Sequence, residues 1–493
     1  MRNTVLLVIL LTFLEGRHTF SADWPQFRGP NSSGISVGSS PPIEFGPGNN
    51  ELWHIPLDSG HSSPCIVGDS IFLTTYNKEE KQLAVVCIAC ADGAIRWNRT
   101  IPAKEIETGH PSFNPASSTP ASDGQRVVAY FGSFGLICFD MQGTALWEVK
   151  LPLAKSYGGN ATSPIIVGDR VILYRGSYRD HFLLAVDKKT GKEIWKTPQS
   201  ARFTTSMACT ATPIVAKDKL IVHAVNAVQA FEISSGKLVW QADSSTTATS
   251  TPVLADNVVI VATWNQTGEP ALVPEYPPYE KLVEDNDKDG DKLVSRNELP
   301  RMMIFHRSEG TEAPQNGMPL RFASVDRDGD GEINADEWAD WQTRSAERRA
   351  RYTRHGIVAI NVDSKGSVKS EQIRSLETQG IPEVPSPLYH GGYVYFVKNG
   401  GILTCLELKT GNRIYRMRTG GKGTHYASPI IADGKLFVTS GDGRISVVRL
   451  GPDPKILAKN EFREQTYATP AIVDGVIYVR TRKTLFAFAS SNR

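Results

Sequence analysis

SPIIVGDRVILYRGSYRDHFLLAVDKKTGKEIW, residues Ser163 to Trp195, divides into four short apolar runs separated by turns. Ile165 to Val167 is followed by a Gly168-Asp169 turn, then come Val171 to Tyr174, a polar loop and Phe182 to Val186. A turn at Thr190-Gly191 leads into Ile194-Trp195. Runs of Val, Ile and Leu bounded by Gly, Asp and Thr predict a four-stranded antiparallel meander. The strands have few alternating polar positions, so both faces of the sheet must be covered, and a sheet this small is not stable alone.

The same pattern recurs along the chain. Further copies open at Ser63-Pro64, Thr119-Pro120, Thr212-Pro213, Thr251-Pro252, Ser386-Pro387, Ser428-Pro429 and Thr469-Pro470, making eight. Many end on an aromatic, as at Trp97, Trp147, Trp195, Trp240 and Tyr415. Eight four-stranded units that cover one another's faces predict an all-β fold, an eight-bladed β-propeller. The last copy stops at Phe486-Ala487-Phe488 without its outer strand, and Glu51-Leu52-Trp53 precedes the first copy with no blade of its own. The N-terminal strand is therefore expected to complete the eighth blade and close the ring.

The spacing of the copies locates an insertion. Neighbouring copies open 39 to 56 residues apart, except for 135 between Thr251 and Ser386. The organisation expected is a propeller from 23 to 271, a small α-helical insertion from 272 to 355 within the fifth blade, and the rest of the propeller from 356 to 493. Residues 1–22 carry one early cation, Arg2, and the apolar run Val5 to Leu14, too short for a permanent span, so they read as a signal peptide. With no other apolar stretch long enough to cross a membrane, a periplasmic or secreted protein without a transmembrane anchor is expected.

Two acidic loops in the insertion have the spacing of calcium ligands. Asp326, Asp328, Asp330, Glu332, Asn334 and Glu337 fall at positions 1, 3, 5, 7, 9 and 12 of an EF-hand loop, with Gly331 at 6 and Ile333 at 8. Hard cations need six to eight oxygens about one point; alternate residues of a tight loop deliver them, Glu332 through its backbone carbonyl. The first loop works best framed from Asp287: Asp287, Asp289, Asp291, the Leu293 carbonyl, Ser295 and Glu298, with Lys292 where glycine makes the sharp turn. Helices are expected at Tyr279 to Glu284, Leu299 to Arg307, Leu320 to Val325 and Trp338 to Tyr352, as in a paired EF-hand lobe.

The formal charge is +2 over 493 residues, with no basic run to track phosphates, so nucleic acid is not an expected partner. Cys87, Cys138 and Cys405 align with Ala185 and Ala230 on the third strand and read as small buried residues. Cys87 and Cys90 form a CxxC, but Ala91 follows where a c-type haem site has His, and no second CxxC completes a zinc site. The segments joining one blade to the next should cross one face toward the central channel: Gly60-His61-Ser62, His110 to Asn114, Tyr157 to Asn160, Arg202-Phe203, His425-Tyr426 and Gln465-Thr466-Tyr467. They suggest a polar, aromatic-lined concavity for a sugar, a peptide or a flat cofactor.

The Ser/Thr-Pro openings, the ending Ala185-x-Asp187-x-x-Thr190-Gly191-x-x-x-Trp195, and the N-terminal Trp24-Pro25-Gln26-Phe27-Arg28-Gly29-Pro30 resemble the pyrroloquinoline quinone (PQQ)-like β-propeller repeat proteins of bacteria. The resemblance implies that each blade-end Trp packs into the next blade. It implies two kinds of activity, because the superfamily holds quinoprotein dehydrogenases and also non-enzymatic outer-membrane-protein assembly scaffolds. The chain lacks the adjacent Cys-Cys pair of the former and a lipid-bearing Cys near the start as in the latter. The expectation is a calcium-binding, non-catalytic module with a protein or carbohydrate ligand at the channel face. The alternative is a PQQ-dependent alcohol or sugar dehydrogenase.

Overall fold

The structure is a computed structural model that describes residues 23–490 apart from 179, 200–208, 245, 266–268, 270–272, 307–316 and 352–353. The expected signal peptide and the Arg202-Phe203 segment lie outside the described residues. Eight antiparallel sheets form a closed ring: blade 1 (65–101), blade 2 (121–150), blade 3 (165–198), blade 4 (214–243), blade 5 (253–263 and 356–377), blade 6 (388–418), blade 7 (430–461) and blade 8 (471–488 with 51–56). Blade 3 has its strands at Ile165–Val167, Arg170–Arg175, Phe182–Asp187 and Glu193–Pro198.

The ring closes as the repeat count requires. Glu51–Pro56 lies antiparallel to Thr484–Phe488, with Trp53 opposite Ala487. In each of the eight blades the register shifts once within the pairing of the third and fourth strands. Such a bulge re-aims the outer strand, and in six of the blades, all but the fifth and seventh, an aromatic stands beside it. The indole Nε1 of Trp97 donates to Met141 O at 2.9 Å, that of Trp147 to Lys188 O at 3.0 Å and that of Trp195 to Ile233 O at 3.1 Å. Trp53 does the same from the N-terminal strand, to Cys90 O of blade 1 at 3.0 Å. A Cβ on Gly93 would stand 2.7 Å from the Trp53 ring, and Gly93 has φ +76°, so the turn that receives the indole is bare for both reasons.

The cysteine pattern has its explanation in the same place. Cys87 faces Trp97, Cys138 faces Trp147 and Cys405 faces Tyr415, as Ala185 faces Trp195 and Ala230 faces Trp240. A small third-strand residue leaves room for the aromatic that its partner strand carries. All six cysteines are free thiols.

The Ser/Thr-Pro openings form a second ring inside the first. The Ser63 N–H donates to Thr119 Oγ1, Thr119 N–H to Ser163 Oγ, and the series continues through Thr212, Thr251, Ser386, Ser428 and Thr469, whose N–H donates to Ser63 Oγ. All eight residues are buried. An unpaired buried N–H costs about 1–3 kcal/mol, so each blade needs the hydroxyl of the next.

Residues 23–39 plug the opposite end of the channel. Trp24 exchanges two backbone hydrogen bonds with Ile66 of blade 1, each 2.8 Å, and Asn31 brackets Val215 of blade 4 at 2.8 and 2.9 Å. Arg28 Nη2 reaches Pro387 O of blade 6 at 2.7 Å, Ile35–Ser36 pairs parallel with Ile431-Ala432 of blade 7, and Gly475 N–H of blade 8 donates to Ser39 Oγ at 2.6 Å. Residues 24–39, the Trp24 to Pro30 motif among them, thus form a hub that touches blades 1, 4, 6, 7 and 8.

The insertion departs from expectation in its helices. Tyr279–Asn286 and Ala335–Arg351 are helical, but the described part of the helix expected at Leu299 to Arg307 is not one: Met303–His306 is a strand paired with Gly317–Pro319. Its alternate burial has period two, and Pro300 stands upstream. Leu320 to Val325 holds only a 3₁₀ turn at Phe322–Ser324, between the strand residue Pro319 and the loop that opens at Asp326. Three residues cannot repay the cost of helix nucleation.

Candidate functional site

Two places concentrate chemistry-bearing side chains: the paired acidic loops of the insertion and the channel face below it.

The loops are built alike. Gly329 N–H donates to Asp326 Oδ1 at 2.8 Å and Gly290 N–H to Asp287 Oδ1 at 2.7 Å. Arg327 N–H donates to Glu337 Oε1 at 2.8 Å, and Lys288 N–H to Glu298 Oε1 at 2.9 Å. Lys292 takes φ +66° where Gly331 has +93°, so the lysine occupies the left-handed position that the frame starting at Asp287 assigns to it. Val294–Ser295 pairs antiparallel with Glu332–Ile333, which sets the loops side by side. Ligand oxygens of Asp287, Asp289 and Asp291 lie within 4.8 Å of one another, as do those of Asp326, Asp328 and Asp330.

Backbone N–H groups of Lys288 and Ser295, with the Ser295 hydroxyl, hold the Glu298 carboxyl down to about 2. Glu332 is pushed up by desolvation and by Asp291, Glu298, Asp289 and Asp330 around it. Carboxylates at 1, 3, 5 and 12, a carbonyl at 7 (Leu293, Glu332) and a hydroxyl or amide oxygen at 9 (Ser295, Asn334) make an all-oxygen donor set that fits a hard divalent cation.

The insertion also covers the channel. The hairpin Met303–His306 and Gly317–Pro319 stands over the Ser/Thr ring and encloses with it a cavity of about 690 Å³. Phe27, from the hub, lies at its floor. The linking segments supply the walls: His61, His110, Phe113, Tyr157, Tyr426 and Tyr467. His61 meets Tyr467 edge-on with ring centroids 5.0 Å apart, and Tyr426 meets Tyr467 at 4.7 Å. Across the channel His110 and Tyr157 lie 5.4 Å apart. Among the described residues, the charged ones of the lining are Arg321 and Glu383.

The sequence placed most of the walls but missed Phe27, Trp264, Arg321, Glu383 and the roof. Phe27 carried a signal, as part of the N-terminal motif. The roof carries none: Met303 to His306 falls within an expected helix, and Gly317 to Pro319 within no expected element.

Behind the wall, Glu107 is buried. Its Oε1 accepts from Asn160 N–H and Nδ2, each at 3.0 Å, and its backbone N–H donates to Ser133 Oγ at 2.8 Å. Burial raises its carboxyl to about 8, against the lowering from Asn160 and Arg175. A raised carboxylate pKa means that the folded state binds a proton that the unfolded state releases, so stability falls as pH rises from the ordinary carboxylate range through about 8. Glu107→Gln is expected to match the parent in urea midpoint near the acid end of that window and to exceed it progressively toward alkaline pH, by at most about 1.4 kcal/mol per pH unit. Parallel midpoint shifts for the two proteins across the window would remove Glu107 as the cause.

The family profile described as outer membrane protein assembly factor BamB matches residues 44–270 and 350–492. The chain belongs to the BamB family. The stretch the profile passes over holds both acidic loops and the roof hairpin, which are therefore additions to the BamB pattern. BamB of Yersinia pestis is 20% identical over 314 residues, spanning 61% of this chain and 67% of that protein. BamB of Moraxella catarrhalis superposes with a TM-score of 0.51 at 11% identity, over 90% of this chain and 98% of that one. A europium-containing methanol dehydrogenase superposes with a TM-score of 0.55, also at 11% identity, over 95% and 98%. At such identities these two superpositions speak for the fold alone. Among the described residues, no helix is long and apolar enough to cross a membrane.

Proposed function

We propose that this chain is an exported, calcium-binding PQQ-like propeller that works as a non-catalytic binding or scaffold module, with a protein or carbohydrate ligand at the channel face. The observation that carries the reading is the separation of charge. Among the described residues, the carboxylate clusters suited to a metal are Asp287, Asp289, Asp291 and Asp326, Asp328, Asp330, all in the insertion. Among the described residues, the channel cavity is lined by hydroxyls and aromatics with Glu383 as its carboxylate. A quinone-dependent alcohol oxidation asks for a cation beside the cofactor and a carboxylate base against the substrate in one place. Membership of a family named for an assembly factor supports a scaffold, and the apolar run near the N-terminus supports a periplasmic or secreted site of action.

The test is reconstitution of the full chain with PQQ and calcium, followed by dye reduction over a panel of alcohols and sugars. No reduction above a heat-treated control is expected. Substrate-dependent reduction would replace this reading with the dehydrogenase.

A further inference from the structure

The cavity between the Ser/Thr ring and the insertion hairpin has the size of a small-ligand site. About 690 Å³ lies within the range of about 300–1,000 Å³ typical of small-molecule sites. We propose that it binds a neutral, hydroxyl-rich ligand, a short saccharide, held between the hydroxyl ring and the aromatic walls. The proposal rests on reading the channel face as a ligand site and narrows what that ligand is.

Three features of the lining converge on this class. The first is the ring. Ser63, Thr119, Thr251, Ser386, Ser428 and Thr469 all face the cavity. Each Oγ accepts one backbone N–H from the preceding blade. Each hydroxyl therefore retains an O–H to donate and a second lone pair, the dual role that a sugar hydroxyl also plays. A ligand offering acceptors alone would leave half of that capacity unused.

The second is the walls. His61, Tyr426 and Tyr467 stand on one side of the channel, His110 and Tyr157 on the other. Rings with apolar bodies and polar tips suit a ligand whose ring faces are C–H and whose edge is hydroxyl. Phe27 below and Phe305, Met318 and Pro319 above add apolar surface at floor and roof.

The third is charge. Among the described residues of the lining, Arg321 and Glu383 balance one another. The His61 imidazole is kept neutral, its pKa lowered to about 3 by burial and by Arg480 and Arg482 nearby. An anionic ligand would gain one guanidinium and meet one carboxylate.

The experiment exposes the full-length, calcium-loaded protein to a printed array of neutral and acidic oligosaccharides, then titrates the best-bound oligosaccharide by calorimetry. PQQ and a set of tripeptides are titrated in parallel. Neutral oligosaccharides are expected to bind. Tyr467→Ala should weaken the titrated one at least tenfold, and so should Met318→Arg, which puts a cation into the roof at a position 38% exposed. Both variants are to be checked for the parent's circular dichroism and melting. Binding confined to acidic glycans, tripeptides or PQQ would overturn the proposal. So would a folded protein that retains no glycan, or affinity unchanged in both variants. Dye reduction by a bound sugar would overturn the non-catalytic reading alone and leave the saccharide site standing.

Discussion

Deleting residues 51–56 is expected to lower the unfolding midpoint of the whole propeller, not to fray one edge. Three losses fall together. Blade 8 loses the strand paired along Thr484–Phe488, leaving Leu485 to Phe488 with an open edge. Trp53 withdraws from its pocket over Gly93 and its bond to Cys90 O, opening the contact between blade 8 and blade 1. Phe486, Phe488 and Phe45, packed in one cluster with blades 7, 8 and 1, lose cover. Because each blade is covered only by its neighbours, an opening at one junction removes the closure that makes the ring cooperative. Trp53→Ala alone is expected to cost about 3 kcal/mol, the low end for burying and then deleting an indole, since Trp53 is half-buried. The deletion should cost more. Chemical denaturation followed by tryptophan fluorescence decides it, and an unchanged midpoint in the deletion variant would contradict ring closure by this strand.

Removing calcium is expected to act on the insertion and its roof while sparing the blades. The insertion has a small core of Leu282, Val294, Phe322, Val325, Ile333, Trp338 and Trp341. Two loops that bring carboxylates within 4.8 Å of one another work against that core until a cation neutralises them. The roof shares this fate by direct connection. Phe322–Ser324 links Arg321, in the cavity lining, to Asp326, the first ligand position, and Leu320 N–H bonds Met302 O at 2.9 Å. Chelation should therefore speed amide exchange in Met303–His306 and Gly317–Pro319 together with the loops, and leave the inner strands protected. Glu337→Gln should weaken the tighter calcium event by about tenfold or more, because the position-12 carboxylate closes the shell from the helix. The loop from Asp287 should be the weaker, with Lys292 strained at positive φ and adding charge beside the ion. Equal affinities at the two loops would remove Lys292 as the cause of a difference.

Much of the fold was legible because the repeat writes its constraints many times over. Ser/Thr-Pro openings, turn residues and terminal aromatics each recur, so a strand misread in one copy is corrected by another. Even the unpaired Trp53 could be placed, since one blade was short by one strand. The insertion occurs once and has no such redundancy. Its acidic loops were readable because ligand spacing is a local code, whereas Met303 to His306 turned on a pairing with Gly317–Pro319 that no local pattern announces. The cavity fell between these cases. His61, His110, Tyr157, Tyr426 and Tyr467 sit on segments that the repeat places at the channel mouth. Phe27 and Arg321 reach it from a hub and an insertion whose positions are fixed only by long-range contacts.

The insertion is expected to hold the cation and to leave the channel to an organic ligand. Counting bound calcium by calorimetry on the full chain, and on the double variant Glu298→Gln, Glu337→Gln, tests it most directly. The parent should bind two equivalents and the double variant should lose both high-affinity events while its blades melt as in the parent. A calcium equivalent that survives in the double variant and is displaced or tightened by PQQ would place a cation in the channel and contradict the account.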